Sequence, residues 1–345
     1  MTHRPLQSIL IVACLALLAA AGCLERNETI TVKRDGSAEI TLAYRGSPED
    51  FRTADALPSP ATGWKVKWET RKNGDDEERI LRTRRKFAAG SELPGSYAAD
   101  DDADADLSLA FPTTLHIEER PDGTYYHFRR NYTPRAWSNV RFWNDHFIDD
   151  DIEKLGQKPS EDLTLDERVK IMRAFTNIEA YEQVEHARAA LAEIDPGLSQ
   201  DRWLAVRRAV LDVYDSIDLA AFVSQFETLS EEERNAAIDA EGERYEGLAR
   251  SAMVQALQRF AKYDDGAAET FAAAYERADR RHKITNQVGG HKFIIRVRMP
   301  GEIVAHNARK VDQDGAFWEF HGSAFRDRAY PLMITSRVSH ASDGK

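Results

Sequence analysis

Cysteine is almost absent from this chain of 345 residues, with Cys14 and Cys23 the only two. They supply no Cys-based zinc site, and the ten His include no His-Glu-x-x-His pair. Gly-x-Ser-x-Gly, the P-loop and Gly-x-Gly-x-x-Gly are also missing, so the local signatures of a serine hydrolase, a nucleotide hydrolase and a dinucleotide enzyme are excluded. Long apolar runs are lacking. The one uninterrupted stretch, from Ile9 to Cys23, is shorter than the ~20 residues that span a bilayer, and Arg26 and Glu28 follow it. Positive charge is in deficit, with 47 Lys and Arg against 58 Asp and Glu for a net −11. That balance argues against a nucleic-acid partner and against electrostatic docking on anionic lipid, since both need clustered cations. Acidity of this degree keeps a protein soluble and apart from its neighbours. No internal repeat is present.

What is there begins with an address. His3 and Arg4 form a short basic start, Ile9 to Leu18 an apolar run, and Ala19-Ala20-Ala21-Gly22 a small-residue close ahead of Cys23. This order describes a secretory signal peptide over residues 1–22. The Cys directly after the small residues resembles the lipobox of bacterial lipoproteins, with Ala20 where Leu is commonest. The resemblance implies that the Cys23 thiol takes a diacylglycerol, that cleavage falls before it, and that the protein is held on the extracytoplasmic face of the cell envelope. Leu24 rather than Asp after the Cys resembles the pattern sorted to an outer membrane. The competing readings are a membrane span, which the length of the apolar run disfavours, and a signal followed by an ordinary thiol. Cleavage also removes Cys14, so the mature chain has no internal disulfide and stands on its core alone. One myristoyl chain binds a membrane only marginally; the several chains of a lipoprotein hold almost permanently.

The mature chain is long enough for one large or two modest domains. Three hairpins come first. Ile30 and Val32 alternate with polar residues, Asp35-Gly36 turns the chain, and Ala38, Ile40, Leu42 and Tyr44 resume the period of two. Ser47-Pro48-Glu49-Asp50 then predicts a short helix with Ser as N-cap. The second hairpin holds Trp64, Val66 and Trp68, turns at Asn73-Gly74 and returns from Glu78 to Phe87. The third runs from Thr114 to Arg120 and back through Tyr132, turning at Pro121-Asp122-Gly123.

Helical spacing dominates from Pro134 to about Asn286. Trp137, Val140, Trp143, Phe147 and Ile148 share one stripe, and Trp203, Val206, Val210 and Ile217 another. Breaks at Gly156 to Pro159, Asp195-Pro196-Gly197, Ser230 and Asp264-Asp265-Gly266 give five or six helices, with a capping box at Ser230 to Glu233. The stretch from Leu165 to Tyr275 predicts antiparallel hairpins packed as a bundle. Strands resume after Gly289-Gly290, with Phe293, Ile295 and Val297 alternating, turns at Pro300-Gly301 and Asp312 to Gly315, and a final run from Tyr330 to Val338. The predicted class is α+β: an antiparallel β domain built by both chain ends (residues 23–133 with 289–345), and a long helical segment (134–288) inserted between strands or packed on the sheet.

Two stretches resemble the LppM-type bacterial lipoprotein domain. One is the first hairpin, Glu28-Thr-Ile-Thr-Val-Lys-Arg-Asp-Gly-Ser-Ala-Glu-Ile-Thr-Leu42; the other is Met299-Pro-Gly-Glu-Ile-Val304, followed by Asn307 and the strand that contains Trp318. The resemblance implies an envelope lipoprotein with an amphiphile-binding role, and it brings no catalytic residues.

Few residues ask for chemistry. His116 and His127 lie on opposite arms of one hairpin, without a third metal ligand nearby in sequence. In the acidic run Asp100 to Asp106, an EF-hand starting at Asp102 requires Gly at 107 and Glu at 113, where Leu107 and Thr113 stand, so a solvated loop is the better reading. Glu118-Glu119 point to opposite faces of a strand, and Asp149-Asp150-Asp151 read as a charged helix face. The candidate cavity or packing aromatics are Trp137, Trp143 and Phe147. Acidic neighbours (Asp145, Asp149 to Asp151) argue against a membrane-lying helix there and favour core packing, with cavity lining the alternative. The expectation is a lipid-anchored protein, non-enzymatic, with no catalytic residues, metal or cofactor, that binds an amphiphilic ligand or an envelope protein. A hydrolase whose site assembles from distant residues and a membrane scaffold are the alternatives.

Overall fold

A computed structural model describes residues 24–52, 55–73, 76–99, 105–159, 162–225 and 229–340. The class is α+β, with strands from both ends of the chain in one sheet and a long helical stretch inserted between them. The described chain divides into a β unit, residues 24–137 with 283–340, and a helical unit, residues 138–282.

The β unit holds β1 (Glu25–Val32), β2 (Ala38–Gly46), α1 (Pro48–Arg52), β3 (Lys65–Asn73), β4 (Asp76–Phe87), β5 (Thr113–Arg120), β6 (Gly123–Tyr132), β7 (Lys292–Arg298), β8 (Glu302–His306), β9 (Lys310–Asp312), β10 (Gly315–His321) and β11 (Tyr330–Ser339). They form two sheets, ordered β3-β4-β2-β1-β7-β10-β9 and β5-β6-β11-β8. The three hairpins are present, and the first shows why. Asp35 Oδ1 accepts from Ser37 N at 2.9 Å and Oγ at 2.7 Å, while Gly36 takes φ of 80°, the left-handed conformation that glycine adopts without a Cβ penalty.

Two features lay beyond the hairpin pattern. β1 and β7 pair in parallel, from Glu25 opposite Lys292 to Thr31 opposite Arg298. This is the one parallel ladder among the described strands, and it needs the long crossover that the helical insertion provides. Pro300-Gly301 is a corner rather than a hairpin turn, because β8 leaves the first sheet and pairs with β11 in the second. Gly301 has φ of 79°, and a Cβ there would stand 2.1 Å from the Arg337 carbonyl oxygen.

The inner faces share one apolar core that includes Ile30, Ile40, Phe128, Phe293, Trp318, Phe325 and Ile334. Tyr132 stacks on Phe325 at 5.4 Å and meets Phe293 edge-on at 5.6 Å. Asn307 ties the sheets together. Its Oδ1 accepts from Trp318 Nε1 at 3.2 Å and Met333 N at 2.8 Å, and its Nδ2 donates to the Pro331 carbonyl at 2.7 Å. The second stretch with the LppM-type resemblance is therefore a structural joint.

Charges are buried in the same core. Arg26 and Glu28 occupy inward positions of β1 ahead of Ile30 and Val32. Arg130 Nη1 donates to Glu28 Oε2 at 2.7 Å and its Nε to Thr113 Oγ1 at 2.9 Å, while Tyr97 Oη donates to Glu28 Oε1 at 3.0 Å. Arg26 pairs with Asp55, which also accepts from Leu109 N at 3.3 Å, and it donates to His291 Nδ1 at 2.9 Å. Burial opposes the charge of both arginines, and the carboxylate beside each outweighs it, so both are held charged more firmly than in water. The guanidinium groups also lie over aromatic rings, Arg130 at 4.7 Å from Phe111 and Arg26 at 5.1 Å from Phe293.

The helical unit comprises α2 (Ser138–Phe147), α3 (Asp150–Gly156), α4 (Leu165–Ile194), α5 (Gln200–Asp215), α6 (Leu219–Gln225), α7 (Glu231–Ala256) and α8 (Asp265–Gly290), whose last turns belong to the β unit. Seven helices stand among the described residues of this stretch where five or six were expected, because α3 and α6 have seven residues each, too short to show an amphipathic period. Capping boxes start α4 at Thr164 and α7 at Ser230. Ala187, Val206, Val210, Met253, Leu257, Phe271 and Tyr275 form the unit's core.

Removing one partner of a buried ion pair leaves the other charge stranded and costs roughly 3–5 kcal/mol, whereas replacing both with apolar groups is often neutral. Glu28→Leu alone is expected to destabilise the β unit by about that amount, and Glu28→Leu with Arg130→Met to recover most of it. Urea denaturation of the two single variants and the double variant checks this; losses that simply add would refute the coupling.

Candidate functional site

Cys23 lies outside the described residues. Leu24 is fully buried in the core of the β unit, its carbonyl accepts from Lys292 N at 3.1 Å, and β1 starts at the next residue. The residue after the candidate acylation site thus already belongs to the core, and β1 is the fourth of seven strands in its sheet.

The three candidate aromatics separate. Trp143 and Phe147 of α2 pack in the helical unit on Tyr181 of α4, with ring centroids at 4.1 and 5.4 Å. Arg207 donates to the Tyr181 hydroxyl at 3.1 Å. Trp137 precedes the helix and belongs to the β unit, where the Arg326 guanidinium lies 3.8 Å above its ring and its backbone N donates to Asp327 Oδ1 at 2.6 Å. Phe142 of α2 is 58% exposed and stacks on His146.

The other candidates resolve into local structure. His116 and His127 face each other across β5 and β6 with ring centroids 6.0 Å apart. Among the described residues no group of three or more His, Cys, Asp and Glu is arranged to hold a metal ion. Of the acidic run, residues 100–104 lie outside the described ones. Glu118 pairs with Arg120 at 2.7 Å and Glu119 accepts from Thr124 at 3.0 Å. Asp149 is not part of a helix face but the N-cap of α3, accepting from Ile152 N at 2.9 Å.

Sequence reading missed two groupings. The first lies in the helical unit, where Glu182 and His186 on α4 face Asp279 and His282 on α8. The imidazole rings are 4.9 Å apart, His186 is 3.7 Å from Asp279 and His282 is 3.6 Å from Glu182. The spacings of four and three residues, which put each pair on one helix face, are its sequence signal. Nearby, burial raises Glu179 to about 6 although Tyr214 Oη donates to it at 3.0 Å. An open groove of about 530 Å³ lies at the α4–α5 turn, lined by Leu191, Pro196, Leu198 and Trp203 with Arg188 and Asp195.

The second is the outer face of the seven-stranded sheet. Strand register sets its outward side chains in rows. One runs Lys65, Arg84, Thr41, Thr29, Arg296, Phe317; the next runs Lys67, Arg82, Ala43, Asn27, Ile294, Glu319. A depression of about 490 Å³ opens across their middle, floored by Asn27, Thr29 and Thr41 and edged by Arg82, Arg296 and Phe317. The Arg296 guanidinium lies 5.3 Å from the Phe317 ring. Carboxylates border the rows: Glu39 meets Arg84 at 2.7 Å, Glu69 meets Lys67 at 2.9 Å, and Asp312 meets Arg296 at 2.9 Å. Hydrogen bonds from Arg84 and Lys67 hold Glu39 and Glu69 below the usual carboxylate range, as the Asp314 backbone N–H does for Asp312. The sequence signal was the period of two in Lys65 and Lys67 and in Arg82, Arg84 and Lys86.

Comparison of the chain with protein-family models, with curated proteins and with solved structures gives no match.

The interior of the β unit has a measurable signature. Because arginine only donates, His291 Nδ1 must accept, and its proton sits on Nε2, which finds no hydrogen-bond partner among the described residues. Burial first, and the charge of Arg26 second, push His291 down to about 2. The unfolded imidazole titrates near ~6.5, so as pH falls below that value the unfolded state takes a proton that the native state refuses. Stability then drops by about 1.4 kcal/mol per pH unit, and above that pH the effect vanishes. His291→Gln is expected to lose this slope, so its stability difference from the parent protein should shrink between pH 7.5 and 5. An unchanged difference would place the proton elsewhere.

Proposed function

We propose that this protein is a lipid-anchored lipoprotein of the extracytoplasmic envelope, tethered through a diacylglycerol on Cys23, that binds an amphiphilic ligand without chemical turnover. The observation that carries the reading is the lipobox-like signal, which predicts cleavage before Cys23 and is followed at once by Leu24, a fully buried residue in the core of the β unit, and by β1.

The amphiphile-binding part draws on the LppM-type resemblance and on surface shape. The outer sheet depression combines hydroxyl and amide groups on its floor with guanidinium groups and an aromatic ring at its edge, a lining suited to a polar headgroup beside an apolar body. The strongest concentration of polar chemistry in the β unit, around Arg26, Glu28, Arg130 and His291, is fully enclosed. Its role is to hold the sandwich in one arrangement, which favours binding over catalysis for this unit. Leu24 favours sorting to the outer membrane where that rule applies.

Cells fed radiolabelled palmitate and then fractionated test the anchor. Label is expected on the parent protein, in the membrane fraction, and none on Cys23→Ser. An unlabelled parent protein found in the aqueous fraction would end this reading.

A further inference from the structure

The acidic balance of the whole chain conceals a segregation of charge. Among outward positions of the seven-stranded sheet whose side chains are described, eleven are Lys or Arg and six are Asp or Glu, on a chain of net −11. This one face is cationic, and the remainder carries more than the whole acidic excess. The cations are accessible, with the side chains of Lys67, Arg84 and Lys310 exposed by 72, 53 and 66%. The bordering carboxylates leave a surplus, and Lys65 and Lys86 have no ion pair among the described residues.

We propose that the outer face of the seven-stranded sheet is a docking surface for anionic phospholipid headgroups, on which the protein lies against the bilayer that holds its anchor. The choice of occupant rests on charge complementarity and on the position of Cys23. Only Leu24, itself buried, separates that Cys from β1, the middle strand of this sheet. An anchor on Cys23 is therefore attached within two residues of the middle strand, which keeps this sheet close to the bilayer. At ~4.8 Å per strand the seven strands span about 30 Å, wide enough to present several of these cations to headgroups at once. An acyl chain and a polybasic surface are the two signals that make membrane attachment stable. The acidic remainder of the chain is repelled by the same lipids, so charge orients the body as well as holding it. Only the tether argument depends on the proposed acylation; the face binds, or fails to bind, without it.

The test uses the mature chain from residue 23 carrying Cys23→Ser, so that no acyl group contributes. It is mixed with vesicles of phosphatidylcholine alone or with one third phosphatidylglycerol, and pelleting is measured in low and high salt. Binding is expected only to the anionic vesicles and only in low salt, where screening is weak. Arg84→Glu and Arg296→Glu should each lower partitioning by about twentyfold, and Lys65→Gln, at an exposed lysine without an ion pair, by about fivefold. Arg208→Glu, an exposed site on α5, should leave it unchanged. Circular dichroism shows whether each variant is folded, and Lys65→Gln keeps the test decisive should a reversal unfold the sheet. Equal pelleting with both vesicle types, no pelleting with either, or an equal loss from Arg208→Glu would overturn the proposal. Palmitate labelling reports on the anchor separately, so a labelled protein with an inert face sinks this inference alone.

Discussion

The parallel ladder between β1 and β7 is the pairing on which the β unit depends. Without it the strands after Lys292 and those before Phe87 would be separate sheets, each with an exposed edge in place of a middle. Open edges are a liability, because their unpaired backbone groups template pairing with other chains. The ladder also sets the outer face, since Thr29 opposite Arg296 and Asn27 opposite Ile294 join the two halves of its rows. The depression between them exists only because the two ends of the chain are in register.

Inside the sandwich the same strand does something costlier. Arg26 and Glu28 carry charge into a place that apolar side chains would fill more cheaply, and the attraction of each for its partner roughly offsets the loss of water. The gain is specificity. Arg130 reaches Glu28 from the second sheet, and His291 approaches Arg26 from the start of β7, so a slip of one residue in either strand would bury unpaired ions. The charges penalise wrong registers more than they stabilise the right one.

Much of this was legible and the limits have physical causes. Local elements announced themselves: Asp35-Gly36, Pro121-Asp122-Gly123 and Ser230 to Glu233 fix turns and caps through contacts within a few residues. The parallel ladder joins positions 267 residues apart in the chain, and no short-range pattern encodes that. The buried ions were missed because the alternation of β1 was read from Ile30 onward; Arg26 and Glu28 share its parity, but charge made them look like surface. Trp137 was placed on a helical stripe it does not join, since the helix begins only at Ser138. The cationic face escaped because net charge sums over the chain and erases where charges lie. The parity of Lys65, Lys67, Arg82 and Arg84 held the information, to be combined only after the strand order was known.

Chain ends that pair with each other impose an order of events on folding. A chain delivered from its N-terminus presents β1 first and β7 long afterwards, so β1 waits with only the β2 side of its ladder satisfied while the helices emerge. The helical unit, whose hairpins close over short loops, can mature during that interval, whereas the sandwich must bear the full entropic cost of a distant closure. The last strands made, β7 through β11, are thus the ones that complete both sheets, and a chain interrupted before them would display half a sandwich with β1 as an open edge and Arg26 lacking His291.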